Sequence, residues 1–167
     1  DELSGDIREL YLSGENIEIQ GDLTLPKVIF EEGSSVKIVE GFSVIGDLEI
    51  QPQVVVENSG EAFLTVLGDI TNYGEFYNNT SDGGSLNIAY LGNVVNEGIW
   101  DTAMTMFIFE IHPNYSPYEV QITNENNTWE ETEESMMPFY VLDNEIFSED
   151  HFIRFRGVDG EEYGEWT

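Results

Sequence analysis

Cysteine is absent from this chain and basic residues are nearly so: five Lys and Arg stand against 34 Asp and Glu, a net charge of −29. The first absence excludes disulfides, thiolate zinc sites and cysteine nucleophiles, and leaves the redox compartment open. The second argues against partners that demand positive charge, because a field of this sign repels nucleic acid and anionic membranes. No apolar run approaches the ~20 residues that span a bilayer as a helix, so no direct membrane insertion is expected. The charge is not a tail effect. Residues 1–100 carry 18 acids and 3 bases, and residues 101–167 carry 16 and 2. What remains is a solvated surface, a divalent cation, or a neutral or basic partner.

What is present is a core and a repeat. Of 167 residues, 40% are apolar and 13% aromatic, enough to fold despite the charge. Gly-Asp or Gly-Asn recurs at Gly21-Asp22, Gly46-Asp47, Gly68-Asp69 and Gly92-Asn93, at intervals of 25, 22 and 24 residues. The residues four before, two before and two after each glycine are always apolar: Ile17, Ile19, Leu23; Phe42, Val44, Leu48; Leu64, Val66, Ile70; Ile88, Tyr90, Val94. Alternation with period two predicts strands buried on one face. A third apolar stretch follows each pair: Val28-Ile29-Phe30, Val54-Val55-Val56, Phe76, and Ile99-Trp100. Each repeat therefore reads as strand, sharp corner, strand, looser turn, strand, one coil of a β-solenoid. The corner glycine is expected at positive φ, with Asp or Asn bonding back to nearby N–H groups.

The later repeats share a tighter signature. Gly68-Asp69-Ile70-Thr71-Asn72-Tyr73-Gly74-Glu75-Phe76 aligns with Gly92-Asn93-Val94-Val95-Asn96-Glu97-Gly98-Ile99-Trp100. Asn72 and Asn96 are expected to stack as a side-chain amide ladder. Over residues 14–101 the chain resembles the right-handed parallel β-helix repeats of large microbial cell-surface and adhesin-like proteins. After Trp100 the Gly-Asp punctuation stops, while strand-like segments continue at Thr105–Ile111, Tyr118–Thr123, Phe139–Leu142 and Phe152–Arg156. The polar stretch Asn124–Ser135 reads as a loop. The ending, from Ile153 to Trp166, is similar to the late strands of immunoglobulin-like and fibronectin type III-like modules. The chain opens at Asp1 and reads as a piece of a longer protein. The expectation is an all-β chain: a short right-handed parallel β-helix of about four coils over residues 1–101, then a C-terminal β cap or partial, incomplete immunoglobulin-like sandwich over 102–167.

Candidate sites follow from that architecture. Stacked corner acids Asp22, Asp47 and Asp69 would lie about 4.8 Å apart, where two charges repel by about 0.8 kcal/mol in water and about 3 kcal/mol at an effective dielectric near 20. Ca²⁺ with its oxygen preference is the cation that would relieve them; ordinary turn chemistry is the alternative. Tyr73 and Tyr77 are the candidate surface rings for stacking on sugars, while Phe76 and Trp100 occupy equivalent core places. The acidic run Glu130–Glu134 reads as a solvated loop, and His112 and His151 lack metal-ligand spacing. A polysaccharide lyase would need basic groups, and only Arg8, Lys27 and Lys37 lie in the repeat region. A hydrolase would need two opposed carboxylates, and no motif singles out a pair. The sequons Asn78-Asn79-Thr80, Asn79-Thr80-Ser81, Asn114-Tyr115-Ser116 and Asn126-Asn127-Thr128 suit a secreted glycoprotein.

The resemblance implies a non-catalytic structural or adhesive module of a microbial extracellular or cell-surface protein, with a polysaccharide or another surface protein as partner. A Ca²⁺- or carbohydrate-binding module is the alternative, and a part of a polysaccharide-active enzyme is the third reading.

Overall fold

In the computed structural model of the chain, residues 8–21, 23–109, 117–123, 126, 128–130, 132–148, 151–159 and 162–167 are described. Period-two segments wind into a parallel β-solenoid of about five turns, one more than the Gly-Asp count suggests. The first turn holds β1 (Glu9–Leu12), β2 (Ile17–Ile19) and β3 (Leu23–Leu25). The second holds β4 (Lys27–Phe30), β5 (Ser35–Ile38) and β6 (Gly41–Val44). The third holds β7 (Leu48–Ile50), β8 (Val55–Asn58) and β9 (Glu61–Val66). The fourth holds β10 (Ile70–Asn72), β11 (Glu75–Tyr77) and β12 (Ser85–Tyr90), and the fifth β13 (Val94–Asn96), β14 (Ile99–Trp100) and β15 (Met104–Ile108). Corresponding strands pair in parallel and make three faces: β1-β4-β7-β10-β13, β2-β5-β8-β11-β14, and β3-β6-β9-β12-β15.

Most strands alternate inward and outward, β4 and β12 being buried on both sides, and the inward residues fuse into one core running the length of the stack. Leu10, Val28, Leu48, Ile70 and Val94 lie one above another on the first face. Successive turns there take 18, 20, 22 and 24 residues. Phe76 stacks beneath Trp100, as their equivalent places predict, with ring centroids 4.8 Å apart.

The first Gly-Asp is out of step with the others. Gly21 lies between β2 and β3, whereas Gly46, Gly68 and Gly92 lie between the third and first faces, after β6, β9 and β12. In the first turn that corner is Leu25-Pro26-Lys27, and the Lys27 backbone lies against Gly46. Leu23, counted among the twelve core positions, is accordingly 42% exposed. The expectation of positive φ also holds only at Gly21, with φ +93°. At Gly68 and Gly92 the cause is close stacking. A Cβ on Gly68 would sit 2.5 Å from the Gly46 carbonyl, and one on Gly92 would sit 2.4 Å from the Gly68 carbonyl.

The segment after Ile108 packs on the fifth turn. β18 (Phe139–Leu142) pairs antiparallel with β15. The 3-10 turn Asn144–Ser148 sets Phe147 against Trp100, rings stacked at 4.3 Å. β16 (Tyr118–Ile122), β17 (Glu133–Ser135), β19 (Ile153–Asp159) and β20 (Glu162–Tyr163) form one antiparallel sheet in the order β17-β16-β19-β20. Its Phe155 stacks on Phe109 and meets Phe107, so this sheet shares the solenoid's core. Part of the expected loop 124–135 is thus strand, because Glu133 and Glu134 pair with Val120 and Glu119.

Candidate functional site

Asp47 and Asp69 each hydrogen-bond into the next turn. Asp47 Oδ1 accepts the Asp69 backbone N–H at 3.1 Å, and Asp69 Oδ1 accepts the Asn93 N–H at 2.7 Å and its side-chain Nδ2 at 3.1 Å. Each carboxylate therefore serves as acceptor for the amide of the next turn, which explains why Asp is placed there. Asp22 lies outside the described residues. Asp47 and Asp69 are exposed, and among the described residues no group of three or more His, Asp and Glu is placed to hold a metal ion. Because both carboxylates already have amide donors and water, the melting temperature is expected to be the same with Ca²⁺ and with chelator. A rise of several degrees with Ca²⁺ would show that the corners bind it.

The amide ladder is present, with Asn72 fully buried and Asn96 half-buried. Asn72 donates from Nδ2 to Asn96 Oδ1 at 2.7 Å and to the Ile99 carbonyl at 3.1 Å, while its Oδ1 accepts the Gly74 N–H at 3.1 Å. A second such residue, Asn58, is also fully buried and ties the long connection after β11: its Nδ2 reaches the Gly60 and Asn79 carbonyls, and its Oδ1 accepts the Asn79 N–H. In the sequon pair, Asn78 Oδ1 accepts the Leu86 N–H and Asn79 Nδ2 reaches Glu57.

Tyr73 follows β10 at the corner between the first and second faces; Tyr77 ends β11 beside Glu57 of the turn below. Both are exposed. His112 lies outside the described residues, and the His151 ring bonds through Nδ1 to the Thr123 carbonyl. The bases are mostly engaged. Lys27 pairs with Glu9 and Lys37 with Glu57. Arg156 pairs with Glu119 and lies 4.4 Å from the Trp166 ring centroid, while Arg154 sits between Trp129 and Trp166 at 4.0 and 4.5 Å. Such guanidinium–ring stacking fastens the end of the chain onto its sheet.

A cleft of about 690 Å³ opens where β13, the edge of the first face, meets Phe147, His151 and Phe155. Tyr90, Asn93, Asn96, His151 and Thr167 supply its polar side chains. Asn96 bonds the Phe147 carbonyl, and burial pushes the Tyr90 phenol up.

The feature that sequence reading missed is the outer side of the third face. The column Thr24, Ser43, Thr65, Ala89, Met106 and Val141 runs across six strands without a charge, although Ala89 in its middle is buried. The parallel column Gly41, Phe63, Asn87 and Met104 is also neutral, with Asn87 buried and bonded through Nδ2 to the Ala62 carbonyl. The second face, by contrast, sets Glu18, Lys37, Glu57 and Tyr77 in one column. On the third face Glu61 is the single charged outward residue of the described strands, at the start of β9. Beyond its other margin, Ile45 and Leu67 stand exposed at successive corners, with Leu91 half-buried above them. The signal was in the sequence as uncharged alternate residues, but it becomes a surface only once the register is known.

In comparisons with known proteins, no family model, no curated protein and no solved structure matches the chain.

Proposed function

We propose that this chain is a non-catalytic structural and adhesive module of a microbial extracellular or cell-surface protein, and that the neutral third face is its contact surface. The observation that supports this most is the charge contrast: net −29 overall, yet one charged residue on the outward side of the widest sheet. Removing charge from a face forgoes solubility there and suits a surface that is to be covered. A continuous core through five turns suits a stiff spacer that presents such a face.

Cells displaying the chain should adhere to plates coated with extracellular protein or neutral polysaccharide. Ser43→Glu with Thr65→Glu, which charges the face at partly exposed positions, should reduce adhesion about tenfold or more while the melting temperature stays within a few degrees. Undiminished adhesion of the charged variant would remove the third face from the reading. Turnover of any polysaccharide in a hydrolase and lyase panel would remove the non-catalytic part. A carbohydrate-binding role through the exposed Tyr73 and Tyr77 is the second reading, checked by loss of polysaccharide capture in Tyr73→Ala with Tyr77→Ala.

A further inference from the structure

The late end of the solenoid is finished on two of its three faces. On the third face β18 pairs with β15 and adds a sixth strand. On the second face Phe147 stacks on Trp100 at 4.3 Å and continues the ring column begun by Phe76. The same 3-10 turn ends the amide ladder. Asn72 donates to Asn96 Oδ1 at 2.7 Å, and Asn96 in turn donates to the Phe147 carbonyl at 2.6 Å. Among the described residues the first face has no such counterpart: β13 is its last strand, and the cleft of about 690 Å³ opens along that edge.

The direction of the main chain follows from the ladder below. The Ile70 N–H donates toward the later turn, to the Asn93 carbonyl, and the Asn72 carbonyl accepts the Glu97 N–H, both at 2.8 Å. One turn earlier the Leu48 N–H reaches the Asp69 carbonyl in the same sense. Residues in register in a parallel ladder direct their polar groups alike, and Ile70 and Asn72 are in register with Val94 and Asn96. The N–H and C=O of Val94 and Asn96 therefore face the open side, an edge that is a template for strand addition. Phe107, Phe147 and Phe155 form an apolar wall of the cleft. The inward column to be continued is Leu10, Val28, Leu48, Ile70 and Val94, aliphatic throughout. None of the described residues lining the cleft is Asp or Glu, although the chain carries 34 of them. Its volume lies within the roughly 300–1,000 Å³ of sites that enclose a ligand.

We propose that this cleft receives an uncharged, extended segment of a partner protein, which joins the first face as a sixth strand parallel to β13 and sets a Val or Ile side chain above Val94. Main-chain donors and acceptors spaced along one strand edge call for another backbone, which favours a peptide over a sugar or a compact apolar molecule. The acid-free lining offers a cationic side chain no partner, so the segment that enters is neutral. A second copy of the chain would bring another −29 to the contact. The site lies on a different face from the proposed adhesive surface and does not depend on it.

The test uses a labelled peptide, Lys-Thr-Val-Thr-Val-Thr-Lys, whose terminal lysines keep it soluble and lie outside the strand core, and two N-methylated forms of it. In the parallel register the amides of the Thr residues that follow Val donate to the Val94 and Asn96 carbonyls, while the Val amides face away. Fluorescence anisotropy should therefore show that methylating both Val amides changes Kd by less than about twofold, and that methylating those two Thr amides weakens binding at least about tenfold. All three peptides carry the same charge, so attraction to the acidic surface is common to them. Val94→Pro removes the outward N–H of β13 at an edge position where proline is tolerated, and should weaken the parent peptide about tenfold. Phe152→Gln, at a cleft residue that is 60% exposed and so dispensable to the core, is a second variant and should weaken it about threefold. Equal effects of the two methylations, their reverse order, or undiminished binding in both variants would overturn the proposal. A dimer in sedimentation that Val94→Pro dissolves would overturn it in favour of a second copy of the chain.

Discussion

Gly98→Ala should be the most destabilising small substitution in the chain, costing about 3 kcal/mol or more in denaturant unfolding. The corner between the first and second faces is so tight that a Cβ on Gly98 would sit 2.0 Å from the Gly74 carbonyl oxygen. That oxygen cannot swing away, because it accepts the Ile99 N–H at 2.9 Å and so holds β14 onto β11. The corner would have to open, and Trp100, whose ring packs on Phe76 and Phe147, would shift with it. Gly21→Ala is the control for conformational preference. Nothing lies within 4 Å of its Cβ position, but φ is +93°, so the cost there should be only about 1 kcal/mol. If Gly98→Ala costs no more than Gly21→Ala, close stacking is not what selects glycine at these corners.

Asn72→Leu should cost about 3 kcal/mol, although leucine fits the volume. The column it belongs to holds Leu12, Phe30 and Ile50 in the turns below, so an apolar residue is native to the place. The loss comes from what is left behind: the Ile99 carbonyl, the Gly74 N–H and Asn96 Oδ1, part-buried beside the fully buried Asn72, each lose a partner. Leaving a buried polar group unsatisfied costs about 1–3 kcal/mol, more than the net value of the bond itself. Replacing both ladder residues, Asn72→Leu with Asn96→Leu, should therefore cost less than the sum of the single changes. A double-mutant cycle by urea unfolding reads this coupling, and strict additivity would show that the ladder is not a unit.

These two cases mark how far the sequence could be read. The Asn ladder was legible because Asn72 and Asn96 lie in segments alike over nine residues, so alignment gave the register directly. Phe76 under Trp100 was legible for the same reason. The first two turns were misread, because Gly21-Asp22 repeats the motif at a different corner while Pro26 occupies the equivalent one. β5, which lacks a neighbouring Gly-Asp, went unrecognised although Val36 and Ile38 are fully buried. The sheet made by β16, β17, β19 and β20 had no repeat to betray its pairing. Its acidic strand Glu133–Ser135 looked like loop because edge strands tolerate charge.

The neutral face was the costliest omission. Gly41, Ser43, Phe63, Thr65, Asn87 and Ala89 are unremarkable one at a time, and 24 residues separate Thr65 from Ala89 along the chain. Only stacking brings them side by side.

The sequence alone determined that the chain is all-β, that it coils, and that the core is lined by alternate residues, because period-two alternation is local and each strand carries its own copy of it. The tertiary structure decided which strand lies on which. Turn lengths drift from 18 to 24 residues, so register depends on what each corner can accommodate rather than on counting. Register in turn decides which side chains share an outer face, and hence where a strongly acidic protein has a surface with a single charge, Glu61.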